Sequence, residues 1–313
     1  MSRRLAALSY LLRVIAKPRV ARLVGPADAR RDFDRAARWL FRAPPYALWL
    51  DGNISVPEGR DLPVTRISCS QTVDRSKVIL FLHGGAYVAG SPSTHRKMLA
   101  RLSKLAGVPV LAPEYRLAPE HPFPAALEDA RAAWDHLYAV GYDPEDIVIG
   151  GDSAGGGLAL ALLADLCAKG TPPAALFAFS PWTDLAGTGR SLTENAEADA
   201  LLPAMRLAEV AQMYLHGHSA LDPAASPLLA EFPSPPPICL QYAETEILRD
   251  DVLRMAGRLR AFGAEVRLEN WPDAPHVWHL FDGWVPEARD ALTRVAAFVR
   301  EALRPVARLR DES

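Results

Sequence analysis

Gly151-Asp152-Ser153-Ala154-Gly155 follows the apolar run Ile147-Val148-Ile149 and precedes the helix-forming run Leu158-Ala159-Leu160-Ala161-Leu162-Leu163. Strand, sharp turn, helix is the setting in which G-x-S-x-G reads as a nucleophile elbow. The serine sits on a strained turn with its hydroxyl clear of the backbone, and the flanking glycines let strand and helix approach closely. A serine so placed is useful only with a base, an acid to orient the base, and N–H groups to hold an oxyanion. The rest of the chain is read for those.

The 313 residues, half of them apolar, suffice for one large α/β domain or two small ones. A net charge of −2 argues against a nucleic-acid partner. Cys69, Cys167 and Cys239 are an odd number, widely spaced and without metal-ligand spacing, and read as buried free thiols in a reducing compartment, the cytoplasm. At the N-terminus Met1-Ser2-Arg3-Arg4 precedes Leu5 to Ile15, a superficial likeness to a signal peptide that Arg13 and the lack of a small-x-small cleavage site argue against. On a helical wheel Leu5, Leu8, Leu12 and Ile15 share one face and Ser9, Arg13 and Lys17 another. Two dockings are open to this amphipathic helix: the protein itself, or weak contact with a membrane surface through Arg3, Arg4, Lys17, Arg19 and Arg22. No run reaches the about 18 apolar residues of a spanning helix.

Residues 1–45 read as two or three helices, the second over about Ala27 to Phe41, ended by Pro44-Pro45. Residues 47–77 are weakly patterned, with Val64 to Ser68 suited to an antiparallel edge strand. From Lys77 onward short strand-like stretches (Val78–Leu82, Val108–Ala112, Ile147–Ile149, Ala174–Phe179, Ile238–Tyr242 and Glu265–Leu268), most of them apolar, alternate with helical ones. That alternation predicts a mostly parallel sheet with helices on both faces. Asp184 to Leu229 interrupts it with a helix near Pro203–Leu215, a candidate cap together with the N-terminal helices.

Reactive groups in such sheets gather beyond the carboxyl ends of the strands. After the first apolar strand comes His83-Gly84-Gly85-Ala86-Tyr87, whose consecutive glycines can turn N–H groups into a cavity. After Tyr242 come four carboxylates, Glu244, Glu246, Asp250 and Asp251, any of which can orient a histidine. After the last strand come His276 and His279. The order serine, acid, histidine is that of the α/β-hydrolases.

On these stretches, with Tyr115-Arg116-Leu117-Ala118-Pro119-Glu120, Ser180-Pro181-Trp182-Thr183-Asp184-Leu185 and Pro275-His276-Val277, the sequence resembles the hormone-sensitive-lipase-like branch of the α/β-hydrolases, bacterial family IV esterases in particular, over about residues 75 to 303. The resemblance implies an α/β-hydrolase core with a helical cap: residues 1–45 and 184–229 for the cap, 46–183 and 230–313 for the core. It implies Ser153 as nucleophile, His276 as general base, and an oxyanion hole from the N–H groups of Gly84, Gly85 and Ala154. Glu246 stands where the family usually has aspartate, with Glu244 and Asp250 as rivals, and His279 rivals His276. The Cβ of Ala86, where the family often has a third glycine, argues against a donor there. The implied activity is a serine carboxylesterase without cofactor or metal, acting on short- to medium-chain acyl esters. A small-molecule receptor on the same fold and an amidase or peptidase with the same triad are the alternatives. A homodimer through the last strand and helix is compatible with the resemblance. Loss of residues 1–45 is expected to change substrate range or stability and to leave the catalytic residues untouched.

Overall fold

The computed structural model describes residues 2–23, 25–56, 59–69 and 73–304. In chain order its elements begin with α1 (Arg3–Leu11), a π-helical turn (Leu12–Ala16), α2 (Lys17–Ala21) and α3 (Pro26–Leu40). Then follow β1 (Leu48–Ser55), β2 (Asp61–Ser68), β3 (Val78–Leu82), α4 (Pro92–Ala106), β4 (Val110–Pro113), α5 (Ala125–Ala139), β5 (Ile147–Asp152), α6 (Ser153–Ala168) and β6 (Ala175–Phe179). After the short α7 (Ser191–Glu194) and α8 (Leu207–Leu215) come β7 (Ile238–Tyr242), α9 (Arg249–Ala261), β8 (Val266–Asn270) and α10 (Pro286–Ala302).

The eight strands lie in the order β1-β2-β4-β3-β5-β6-β7-β8. The first two pairings are antiparallel and all the others parallel. The strands β3, β5, β6 and β7 are buried along their whole length, which is why they read as unbroken apolar runs: helices cover both faces. Leu80 and Ile149 face one core layer, Ile79 and Val148 the other. From β3 the chain moves outward to β4, then returns to the other side of β3 as β5, so the order reverses between β3 and β5. In an open α/β sheet the crevice at such a reversal is where ligands bind.

Two local expectations are corrected. Val64–Ser68 belongs to β2, but β2 is not the edge, because β1 pairs along its outer side. With most of its side chains exposed on both faces, β1 lacks the alternation that reveals a half-buried strand. The N-terminal helix docks on the protein itself through Leu5, Leu8 and Leu12, packed with Ala200, Ala274 and Trp278. Ile15 does not share that face. The π-helical turn inserts an extra residue into the register, so Ala16 takes the inward place and Ile15 is 62% exposed.

Candidate active site

Strand register brings the reactive loops together. Leu82 pairs with Gly151, so His83 to Gly85 run beside Asp152 to Ala154. Asp152 pairs with Phe179, which sets Ser180 next to Ser153. Tyr242 pairs with Asn270, so the turns that carry Glu246 and His276 start side by side. β5 ends at Asp152 and α6 begins at Ser153, whose φ of +52° is left-handed for a non-glycine residue. The glycines of the elbow are required by contact: a Cβ on Gly155 would stand 2.2 Å from the Leu82 and His83 carbonyl oxygens, and one on Gly151 2.3 Å from the Gly155 oxygen.

Among the described residues, five of the eight non-glycine positions with positive φ surround this crevice: Ala86, Tyr87, Ser153, Ser180 and Val277. Each costs about 1–3 kcal/mol and persists only where neighbours over-determine it, a pattern that clusters at functional sites. Val277 is β-branched, and it directly follows His276.

His276 Nε2 lies 2.9 Å from Ser153 Oγ, and Nδ1 lies 2.9 Å from Glu246 Oε2. A carboxylate only accepts, so Nδ1 carries the proton and Nε2 is left as the acceptor facing the serine. Glu246 and His276 are buried, whereas Ser153 is partly open to solvent. Burial alone pulls the His276 pKa down, but the hydrogen bond and charge of Glu246, with the charges of Asp199 and Asp152, outweigh it and hold the pKa above its ordinary value. The extra methylene of glutamate lets the side chain fold back on its own turn, where Oε1 accepts from the Ala243 N–H at 2.9 Å and from Ser180 Oγ at 2.7 Å.

The other candidates are engaged elsewhere. Glu244 accepts from Asn270 Nδ2, and Asp250 pairs with Arg249 and accepts from the Ser191 N–H. Asp251 accepts the Thr183 and Asp184 N–H groups, while burial pushes its carboxyl up to about 7. His279 is a core residue: it contacts Gln241 Oε1 at 2.7 Å, stacks on Phe179, and burial drives its pKa far down, so it is neutral.

The oxyanion loop differs from the expectation. The Gly84 N–H donates to Asp152 Oδ1 at 2.9 Å, within the fold rather than into the crevice. The contact is tight, since a Cβ on Gly84 would stand 2.2 Å from Asp152 Oδ2. Asp152 is itself buried against His95, whose Nε2 lies 3.2 Å away. Among the described residues no acceptor engages the Gly85 or Ala86 N–H, and both residues have positive φ, at +129° and +56°. The Ala154 N–H belongs to the first turn of α6, where backbone donors lack intrahelical partners and the helix dipole favours negative charge.

Ser180 was not singled out for a role by its sequence context, although it stands in the Ser-Pro-Trp-Thr-Asp-Leu stretch. A hydrogen bond to a charged group is worth about 1.5–3 kcal/mol, so Ser180→Ala is expected to lower kcat about tenfold while leaving KM within about twofold. Steady-state kinetics on one ester checks this; an unchanged kcat would separate Ser180 from the placement of Glu246.

A family profile described as the alpha/beta hydrolase fold matches residues 79–280. An acetyl-hydrolase of Streptomyces hygroscopicus is 40% identical over 255 residues, 80% of this chain and 85% of that protein. A crystal structure of an esterase from the bacterial hormone-sensitive lipase family superposes with a TM-score of 0.90 at 38% identity, covering 97% of this chain and 99% of that one. The structure of the esterase EstE5 soaked with p-nitrophenyl butyrate gives a TM-score of 0.88 at 35% identity, with 97% and 99% coverage. The chain belongs to the hormone-sensitive-lipase-like, family IV branch of the α/β-hydrolases. It is a carboxylic ester hydrolase. Among the described residues no helix is long and apolar enough to cross a membrane.

Proposed function

We propose that this chain hydrolyses short- to medium-chain acyl esters through a Ser153-His276-Glu246 triad and an acyl-enzyme. The observation that carries the reading is the unbroken hydrogen-bonded row from Ser153 Oγ through the imidazole to a buried carboxylate, 2.9 Å at each step. Ser153 Oγ attacks the ester carbonyl carbon while His276 Nε2 takes its proton. Glu246 stabilises the imidazolium and fixes its tautomer. The carbonyl oxygen becomes an oxyanion, held by the N–H groups of Gly85, Ala86 and Ala154 in place of the set that included Gly84. Collapse expels the alcohol, which takes the proton from His276, and leaves the acyl group on Ser153. Water then attacks that ester, with His276 again the base, and releases the acid and free serine.

The division into cap (1–45, 184–229) and core (46–183, 230–313) belongs to the same reading. It is supported by bonds between the two surplus segments: Arg13 to the Ala198 oxygen at 2.8 Å and Arg206 to the Leu23 oxygen at 2.9 Å. The short-chain preference is supported by the acetyl-hydrolase relative and the butyrate-ester soak of a structural neighbour. A cytoplasmic site of action is supported by three buried free thiols, the form a reducing compartment maintains. Rates over p-nitrophenyl esters of increasing chain length test the substrate class. Turnover is expected to peak at short to medium chains; turnover of long esters alone would replace this reading with a true lipase.

A further inference from the structure

We infer that Asn195 and Asp199 of the 184–229 insertion, strapped down by Lys17 of the N-terminal arm, hold the turn that carries Glu246, so that the cap segments position the acid of the triad. The inference rests on the catalytic reading of Glu246 given above.

Asn195, itself buried, donates through Nδ2 to both the Glu244 and the Glu246 carbonyl oxygens at 2.8 Å each. Asp199, 1% exposed, accepts the Ile247 N–H through Oδ2 at 3.0 Å, and through Oδ1 the N–H groups of Leu201 and Leu202 at 2.8 Å. Ser191, in the same insertion, donates to the Ile247 oxygen at 2.7 Å and accepts the Asp250 N–H at 3.0 Å. The backbone on either side of Glu246 is thus tied to three side chains that lie about fifty residues away in sequence and outside the hydrolase alternation. Lys17 closes the arrangement: its Nζ donates to the Ala196 oxygen at 2.6 Å and the Asp199 oxygen at 2.8 Å.

The consequence follows from tolerance. Glu246 reaches His276 through one hydrogen bond, and misplacement of catalytic groups by about 1 Å can cost about 10²-fold in rate. The groups that face His276 are Glu246, Asp199 from the insertion, Asp152 from the elbow, Ser153 and the neutral His279. Asp199 therefore bears on the base both by holding the turn and by its charge. On this inference, loss of the N-terminal arm lowers kcat in addition to any change in substrate range or stability.

The test is a double-mutant cycle with Asn195→Ala and Glu246→Gln in the full chain, with active sites titrated by a fluorophosphonate so that rates refer to folded enzyme. Asn195→Ala is expected to lower kcat about tenfold with KM nearly unchanged, and to move the acidic limb of the kcat/KM profile to lower pH as the hold of Glu246 on His276 slackens. In the Glu246→Gln background the same change is expected to alter kcat less than about twofold, because the clamp acts through the carboxylate. Lys17→Met, which leaves the buried amide in place, is expected to shift kcat and the limb in the same direction by about threefold or less. A wild-type kcat and limb in Asn195→Ala, or an equal loss in both backgrounds, overturns the inference. If Glu246→Gln itself leaves kcat and the limb unchanged, the triad reading fails instead, and the two failures are told apart within one data set.

Discussion

Replacing Ser153 with alanine is expected to lower kcat by about 10⁶-fold, on the order of 8 kcal/mol of transition-state stabilisation. The size follows from what is removed. Among the described residues the hydroxyl is the only group hydrogen-bonded to His276 Nε2, and it is partly open to solvent with its own backbone held at φ +52°. On the proposed mechanism no acyl-enzyme then forms, and the residual rate is expected to come from the oxyanion donors and substrate binding alone, about 10³–10⁴ over water in comparable triads. Thermal unfolding checks that the variant is folded, and initial rates on a p-nitrophenyl ester give the ratio. Activity near that of the wild type would remove Ser153 from the mechanism.

Replacing Glu246 with glutamine is expected to cost about 10³–10⁴ in kcat, because the isosteric amide fills the space yet no longer fixes the tautomer or stabilises the imidazolium. The pH dependence carries a second signature. Only neutral imidazole accepts the serine proton, so kcat/KM is expected to rise with pH through the His276 pKa, which Glu246 holds above the ordinary histidine value. Glu246 is the principal group that raises it against the opposing pull of burial. Its loss therefore moves the acidic limb to lower pH even as the plateau collapses. A kcat within about tenfold of wild type and an unmoved limb would point to another acid.

The elbow was legible in sequence because its determinants are local: a strand, two glycines whose Cβ atoms would collide with backbone, and a helix start. The strands β3, β5, β6 and β7 were legible for a related reason, since burial on both faces leaves continuous apolar runs. The strand β1 was not, because its exposed side chains carry no period. Ile15 was misread because a single π-helical turn shifts the register of a helix without any mark in its composition. Around the site, what escaped the sequence are contacts that depend on where one side chain turns. Asp152 claims the Gly84 N–H across 68 residues, and Ser180 reaches Glu246 across 66. Asn195 and Asp199 have the composition of an ordinary polar loop, and only their partners in space give them a bearing on the acid.

Covalent capture shows whether Ser153 is the nucleophile. The enzyme is treated with a fluorophosphonate, its intact mass is measured, and the modified peptide is mapped. One adduct is expected, on Ser153, formed at a rate that falls as His276 becomes protonated and absent from the Ser153→Ala variant. No adduct, or an adduct on any other residue with Ser153 unmodified, would contradict the assignment of Ser153 as the nucleophile.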